Sequence, residues 1–142
     1  MKELYKALAA FQQECPAIHK GTKGYGYSYA SLPEILEVIN PLMKKHGLGF
    51  YQALVPHAIA NADVVGGDFL YTEVFHIETG KGISSYARIP NDVELKGMNK
   101  YQVFGSAVTY FRRYALSAML GIVTDADNDA AEVKQDKKGE WL

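Results

Sequence analysis

The chain has 142 residues, of which 48% are hydrophobic and 22% charged, a composition typical of one soluble globular domain. No apolar run approaches the ~20 residues that a membrane-spanning helix needs, and a single cysteine excludes an internal disulfide. The net charge of -1 is unevenly distributed, because residues 125–142 hold six acidic side chains and three lysines. Residues 1–124 carry 12 basic and 10 acidic side chains, so any nucleic-acid site must come from local clustering.

Two helices are predicted before the first strand. Apolar residues at helical spacing predict an amphipathic helix over residues 2–14, which Pro16 ends. A Ser-x-x-Glu capping box at Ser31 predicts the start of a second helix. Pro41 is expected to bend this helix and Gly47 to end it.

A three-stranded meander and a long helix follow. Residues 48–56, 69–77 and 83–89 are rich in aromatic and β-branched side chains, which predicts strands. Residues 78–82 form a glycine-containing hairpin turn, and residues 102–121 have the spacing of a helix. An antiparallel meander with one face covered by a long helix is an α+β fold, here preceded by two N-terminal helices.

The long helix shows two different sides at ~100° per residue. One side is apolar and consists of Phe104, Ala107, Val108, Phe111, Tyr114, Ala115 and Ala118. The opposite side is a narrow polar stripe, which we define as Gln102, Ser106, Thr109, Arg113 and Ser117. Tyr110 flanks the stripe on one side and Arg112 on the other. Amide, hydroxyl and guanidinium groups donate to phosphate oxygens, and the helix holds no acid, so the stripe indicates a surface for a polyanion.

Residues 105–116, with the sequence GSAVTYFRRYAL, resemble the signature of the essential recombination function (Erf) family of phage single-strand annealing proteins. Less specific matches to the family lie at residues 27–32, 41–48 and 120–129, and all the matches occur in the order that they have in the family. Phe111 departs from the family pattern, which usually has alanine at this position, and is expected to change packing more than DNA contact.

The family resemblance implies a fold, an assembly and an activity that the residue pattern by itself does not indicate. It implies a β-β-β-α core like that of eukaryotic strand-annealing ring proteins and assembly into a homo-oligomeric ring or helical filament. The implied activity is ATP-independent binding of single-stranded DNA and annealing of complementary strands through a duplex intermediate, in phage homologous recombination and DNA repair. It also implies a phage- or prophage-encoded protein in the bacterial host cytoplasm, with no membrane partner. A phage exonuclease or a host single-strand-binding protein stays open as a further partner.

The candidate DNA-binding residues form three clusters, because single strands are held by cations along the phosphates and by aromatic faces for the bases. The clusters lie between residues 20 and 29, on the last strand with its exit loop, and on the long helix. The predicted contacts are Lys20, Lys23, Tyr25, Tyr27, Arg88, Lys96, Lys100, Gln102, Ser106, Thr109, Tyr110, Arg112 and Arg113. Two alternatives stay open: half-buried packing for the tyrosines, and a subunit interface for one of the two adjacent arginines.

Nothing in the sequence indicates catalysis. The four histidines share no metal-ligand spacing, and no Gly-x-x-x-x-Gly-Lys-Ser/Thr phosphate loop is present. Asp125, Asp127 and Asp129 are spaced like the start of a calcium loop, but Ala130 stands where that loop needs glycine. We therefore predict no catalytic residues, no metal, no cofactor and no enzyme activity.

The sequence divides into an annealing domain over residues 1–124 and an acidic tail, predicted to be mobile, over residues 125–142. Two functions other than annealing remain. The protein could coat single-stranded DNA passively and protect it. Alternatively, it could be an oligomeric scaffold that uses the stripe for protein contact and ignores DNA.

Overall fold

The computed structural model describes residues 1–21, 29–56, 68–90 and 93–124. These residues form three helices and three strands, which confirms the α+β class. In chain order they are α1 (Lys2–Glu14), α2 (Leu32–Lys45), β1 (Leu48–Pro56), β2 (Asp68–His76), β3 (Gly82–Ile89) and α3 (Lys100–Leu120).

The strands form the predicted antiparallel meander, in the order β1-β2-β3. Gln52 of β1 pairs with Thr72 of β2, which in turn pairs with Ser85 of β3. The Gln52 amide donates to the Thr72 hydroxyl at 3.0 Å, and Thr72 is fully buried. These three residues mark the covered face of the sheet, so their neighbours along each strand point to the opposite face.

The capping box predicted at Ser31 starts α2. The Ser31 hydroxyl accepts from the Glu34 N–H at 3.3 Å, and the Ser31 N–H donates to the Glu34 carboxylate at 3.1 Å. The helix continues through Pro41 to Lys45, and Gly47 follows it with a φ of 69° that favours glycine. Within the described residues, no helix combines the length and the apolar character needed to cross a bilayer.

The main core lies between α1, α2, the covered face of the sheet and the C-terminal half of α3. Its fully buried apolar side chains include Leu4, Phe11, Ile35, Ile39, Val74, Leu116 and Leu120. Burying one such side chain stabilises the fold by roughly 1.5–3 kcal/mol. A parallel bridge between Ile18 and Thr124 also joins the segment after α1 to the segment after α3.

The predicted buried side of α3 is wrong for its C-terminal half. Leu116 and Leu120 are fully buried, and Arg113, placed on the exposed stripe from the sequence, is only 5% exposed. Tyr114 and Ala118, which were assigned to the apolar side, are exposed. The reason is that the two leucines lie on the same side of the helix as Arg113. Their burial against α1 and α2 turns the arginine inward.

Candidate nucleic-acid interface

The first half of α3 carries the exposed part of the polar stripe. Gln102, Ser106 and Thr109 are exposed, as predicted, and α3 contains no aspartate or glutamate. A capping box fixes the start of the helix: the Gln102 N–H donates to Asn99 Oδ1 at 2.9 Å, and the Asn99 N–H donates to Gln102 Oε1 at 2.8 Å. Gly105 lies on the same stretch, where an added Cβ would meet no atom within 4 Å. The exposed surface of this half of α3 therefore consists of short uncharged groups and carries no carboxylate.

Two lysines stand at the N-terminal end of this surface. Lys100 is the first residue of α3, and Lys96 lies in the turn before it, closed by a hydrogen bond from the Met98 N–H to the Leu95 carbonyl at 3.2 Å. Both lysines are exposed, and Tyr101 beside them is 89% exposed. The positive end of the helix dipole adds to the attraction for anions at this end. Cations, small donors and an aromatic ring thus occur together.

Arg112 forms hydrogen bonds with the sheet of its own protomer. Its Nε donates to Gln52 Oε1 at 3.3 Å, and the Gln52 amide nitrogen donates to the Arg112 carbonyl at 3.1 Å. These two bonds join the middle of α3 to the covered face of β1. The half-buried guanidinium therefore holds the helix on the sheet, a role that the sequence did not reveal.

Arg113 lies in a cluster of three tyrosines. Its guanidinium carbon is 3.3 Å from the ring centroid of Tyr29, 4.7 Å from that of Tyr114 and 5.5 Å from that of Tyr110. Cation–π attraction is strongest where water is excluded, and here the arginine is almost fully buried. In this protomer, Arg113 organises aromatic side chains and is not exposed to a phosphate.

The tyrosines of this cluster reach the surface beside the stripe. Tyr110 and Tyr114 have ring centroids 4.4 Å apart, and both rings are partly exposed. Hydrogen bonding to Tyr114 raises the pKa of the Tyr110 hydroxyl to about 12. Tyr110 therefore stays neutral at physiological pH and offers an uncharged aromatic face next to Thr109.

The first predicted cluster is only partly described. Lys23, Tyr25 and Tyr27 lie outside the described residues. Lys20 is half-buried. It adds to the lowering of the pKa of the Glu34 carboxyl, which comes first from the backbone N–H of Gly21.

Arg88 belongs to a different surface. It is exposed at the end of β3, and it alternates with Ala87, which faces the covered side. Arg112 of α3 is bonded to Gln52 on the covered face of the sheet. Arg88 lies on the opposite face. The structure does not bring Arg88 together with the polar stripe in one protomer.

That opposite face carries a row of aromatic side chains, of which the sequence predicted only Tyr86 to share a surface with Arg88. The ring centroids of Tyr51 and Tyr71 are 5.5 Å apart, those of Tyr71 and Tyr86 are 5.1 Å apart, and Phe75 lies 6.5 Å from Tyr51. The Tyr71 hydroxyl donates to Glu73 at 2.5 Å, and this bond raises the pKa of Tyr71 to about 12. Alternation of aromatic residues in β2 was the available signal, but it does not say which side of the sheet is covered.

These features define a small α+β domain in which a β-meander packs against one long helix with an acid-free exposed end. Among the described residues, no cluster of histidine, cysteine or carboxylate side chains could hold a metal ion. The chain belongs to the ERF superfamily, whose family model matches residues 4–140. The match confirms the family resemblance of residues 105–116.

Comparison with individual proteins gives the same family. The chain is 31% identical over 136 residues to the essential recombination function protein of Salmonella phage P22. The alignment covers 94% of this chain and 62% of that relative, so the chain spans less than two thirds of its length. Among solved structures, no match to the chain is found.

Proposed function

We propose that this protein binds single-stranded DNA and anneals complementary strands, without ATP, in phage homologous recombination. Membership of the ERF superfamily and the similarity to a phage essential recombination function protein support a role in recombination. The observation that carries the DNA-binding part is the exposed, acid-free stretch of Gln102, Ser106 and Thr109 beside Lys100. Such a surface suits a closely approaching phosphate backbone.

In this proposal the backbone is held and the bases stay available. Lys96 and Lys100 neutralise phosphates, and the Ser106 hydroxyl donates to a phosphate oxygen. The Thr109 hydroxyl donates to the Gly105 carbonyl at 3.2 Å, so Thr109 contributes a short uncharged side chain to the surface. None of these contacts reads base identity. Tyr101 and Tyr110 offer faces on which bases of any sequence can stack. Sequence-independent binding of this kind leaves Watson–Crick edges free to meet a complementary strand.

Arg113 and Arg112 have supporting roles in the proposed site. The sequence predicts DNA contact for both, with a subunit interface as the alternative for one of them, but Arg113 is buried among tyrosines and Arg112 is bonded to Gln52. We assign Arg113 to holding Tyr110 in place and Arg112 to holding the helix on the sheet. Direct phosphate contact then falls to the lysines and the small polar residues.

One protomer offers few cations, so useful affinity requires several protomers on one strand. Linking weak sites raises the effective concentration of each neighbouring contact and can increase overall affinity by ~10²–10⁴. A homo-oligomer, as a ring or helical filament, therefore belongs to the proposal. The bacterial cytoplasm, where phage recombination takes place, is the proposed location.

The test adds one negative charge at matched positions. Gln102→Glu keeps the capping box, since glutamate serves as well as glutamine at this helix position. Gln13→Glu makes the same change on an exposed position of α1, away from the stripe. We expect Gln102→Glu to slow ATP-free annealing of two labelled complementary oligonucleotides by about tenfold, a loss of ~1.4 kcal/mol. Gln13→Glu should anneal like the wild type, and oligomer size is measured for all three proteins.

The other outcomes separate the alternatives. A wild type that binds the oligonucleotides but does not speed their annealing is a passive coating protein. A well-assembled wild type that binds no DNA is a scaffold. Equal slowing by both substitutions would show that general charge, and not the stripe, governs binding.

A further inference from the structure

The face of the sheet that points away from α3, which we call the open face, carries one tyrosine from each strand. Tyr71 of β2 pairs with Tyr86 of β3, and Tyr51 of β1 lies diagonally across from Tyr71. The ring centroids are 5.5 Å apart for Tyr51 and Tyr71 and 5.1 Å apart for Tyr71 and Tyr86. The outer two rings, those of Tyr51 and Tyr86, are each 47% exposed. The three rings therefore form a partly exposed aromatic platform across the width of the sheet.

Two glycines leave room for other side chains to lie close to the sheet beside this platform. An added Cβ on Gly49 would lie 2.6 Å from Cζ of Phe75, and one on Gly82 would lie 3.2 Å from Cδ of Glu73. Neither glycine has a positive φ, so the available space, and not the backbone conformation, excludes a side chain here. Glycine inside a strand often marks such a close approach. The ring of Phe75 and the side chain of Glu73 therefore pack against the backbone of the neighbouring strands, which keeps the open face low.

The central ring of the platform is held in place and stays neutral. The Tyr71 hydroxyl donates to Glu73 at 2.5 Å, and this hydrogen bond raises the pKa of Tyr71 to about 12. The ring is therefore uncharged at physiological pH, whereas a phenolate would repel a polyanion. An aromatic ring that is already held in one orientation loses less entropy when a ligand stacks beside it.

The charged side chains of the open face indicate which ligand fits it. Glu73 is bonded to Tyr71, and Arg88 is exposed at the end of β3. A second copy of this chain packed on the tyrosines would have to bury both charges, which is unfavourable. A single nucleic-acid strand would leave them in water, with a phosphate at Arg88 and the Glu73 carboxylate repelling phosphates from the rings. Tyr86 and Arg88 are about 6.6 Å apart along β3, a distance that one nucleotide spans between its base and its phosphate.

We propose that the open face binds unpaired bases of a nucleic-acid strand, as a second strand site that the sheet separates from the stripe on α3. One base stacks on Tyr51 and another on Tyr86, while Arg88 binds the phosphate next to the second base. This site rests on the proposed function, because its class of ligand is the same, but it uses none of the residues of α3. A protomer with both sites holds one strand on each side of its sheet.

The experiment separates stacking from phosphate contact by using two labelled strands of equal length and charge. One is an oligothymidylate, and the other is an abasic deoxyribose-phosphate strand. Both are bound to full-length Gln102→Glu protein, in which the stripe is weakened and the open face is unchanged. Adding Tyr51→Leu and Tyr86→Leu should lower the affinity for the oligothymidylate by about fivefold per ring, about 25-fold in all, and leave the affinity for the abasic strand unchanged.

Three further variants serve as controls. Tyr5→Leu removes an equally exposed tyrosine from α1 and should change neither affinity. Tyr86→Phe keeps the ring and should bind both strands like its parent. Arg88→Gln should weaken both strands by the same factor, because it removes a phosphate contact and no stacking. If the double tyrosine variant does not fold, Tyr86→Leu replaces it, with an expected loss of about fivefold for the oligothymidylate alone.

Several outcomes overturn the proposal. An unchanged affinity for the oligothymidylate in the double variant does so, and so does an equal loss for both strands, which would show that the rings serve packing. Oligomer size is measured for each protein. A double variant that dissociates and still prefers the oligothymidylate assigns the open face to a neighbouring copy and also overturns the proposal. Failure of the stripe is seen separately, because Gln102→Glu alone would then bind and anneal like the wild type.

Discussion

Gly105 stands in the exposed half of α3, at a position where helices usually carry a side chain. Glycine in a helix interior is less stable than alanine by roughly 0.5–1 kcal/mol. No packing requirement explains it, because an added Cβ would meet nothing within 4 Å. The absence of a side chain instead lowers the surface between Gln102 and Thr109, which in the proposed site lets a ligand backbone approach closely.

A pair of glycine-to-alanine substitutions tests this view of Gly105. Gly105→Ala should raise the free energy of unfolding by about 0.5–1 kcal/mol, measured by urea denaturation. Gly121→Ala is the matched control and should lower it by at least about 1 kcal/mol, because its φ of 66° is strained for alanine and its Cβ would lie 2.8 Å from Gln12 Nε2. Loss of stability in Gly105→Ala would mean that a contact outside the described residues fills this position.

At the scale of whole elements, local sequence patterns predict where helices and strands begin and end, but they do not predict which side chains tertiary contacts bury. The bounds of α1 and β1 and the cap of α2 depend on spacing and on neighbouring residues, and the structure reproduces them. The burial of Arg113 depends on Tyr29 and on where Leu116 and Leu120 find space, and no local pattern contains that information. The exposure of the candidate residues near the start of α3 was therefore predictable, whereas the tyrosine cluster was not.

The junction of α1 with α2 gives a pH-dependent prediction. Lys45 Nζ donates to Glu14 Oε1 at 2.7 Å, and this hydrogen bond, together with nearby His46, lowers the pKa of the Glu14 carboxyl. Because the folded pKa is lower than the unfolded value, the pair stabilises the fold above the ordinary glutamate pKa of about 4.3. That stabilisation is lost as the pH falls through the folded pKa. Both side chains are substantially exposed, so the effect is small and screened by salt.

The measurement compares the wild type with Glu14→Gln by urea denaturation from pH 7 downward. The wild type should be the more stable protein at pH 7, and the difference should disappear once the Glu14 carboxyl is protonated. Glu37→Gln is the control, because Glu37 is also an exposed glutamate, on α2. A difference that persists unchanged at low pH would show that glutamine disturbs the helix end by another route.

At the scale of the whole molecule, the exposed basic side chains lie on two different surfaces, so they cannot all contact the same ligand within one protomer. Lys96 and Lys100 stand at the exposed end of α3, whereas Arg88 lies on the opposite face of the sheet. In the proposed site, one DNA strand along the exposed part of the stripe would therefore meet two described lysines per protomer. The total charge of -1 provides no general attraction for DNA, so the proposed binding would depend on salt only through these local contacts.

Binding of a labelled oligothymidylate at increasing KCl measures those contacts. Each phosphate neutralised on a single strand contributes about -0.7 to the slope of log K against log salt concentration, so two lysines predict about -1.4 for each bound protomer. Lys100→Gln should make the slope shallower by about 0.7. Lys44→Gln removes an equal charge from an exposed position in the last turn of α2 and should leave the slope unchanged. Equal changes in both variants would assign binding to overall charge. A wild-type slope near zero would leave the scaffold function, because protein contacts through uncharged groups release no counterions.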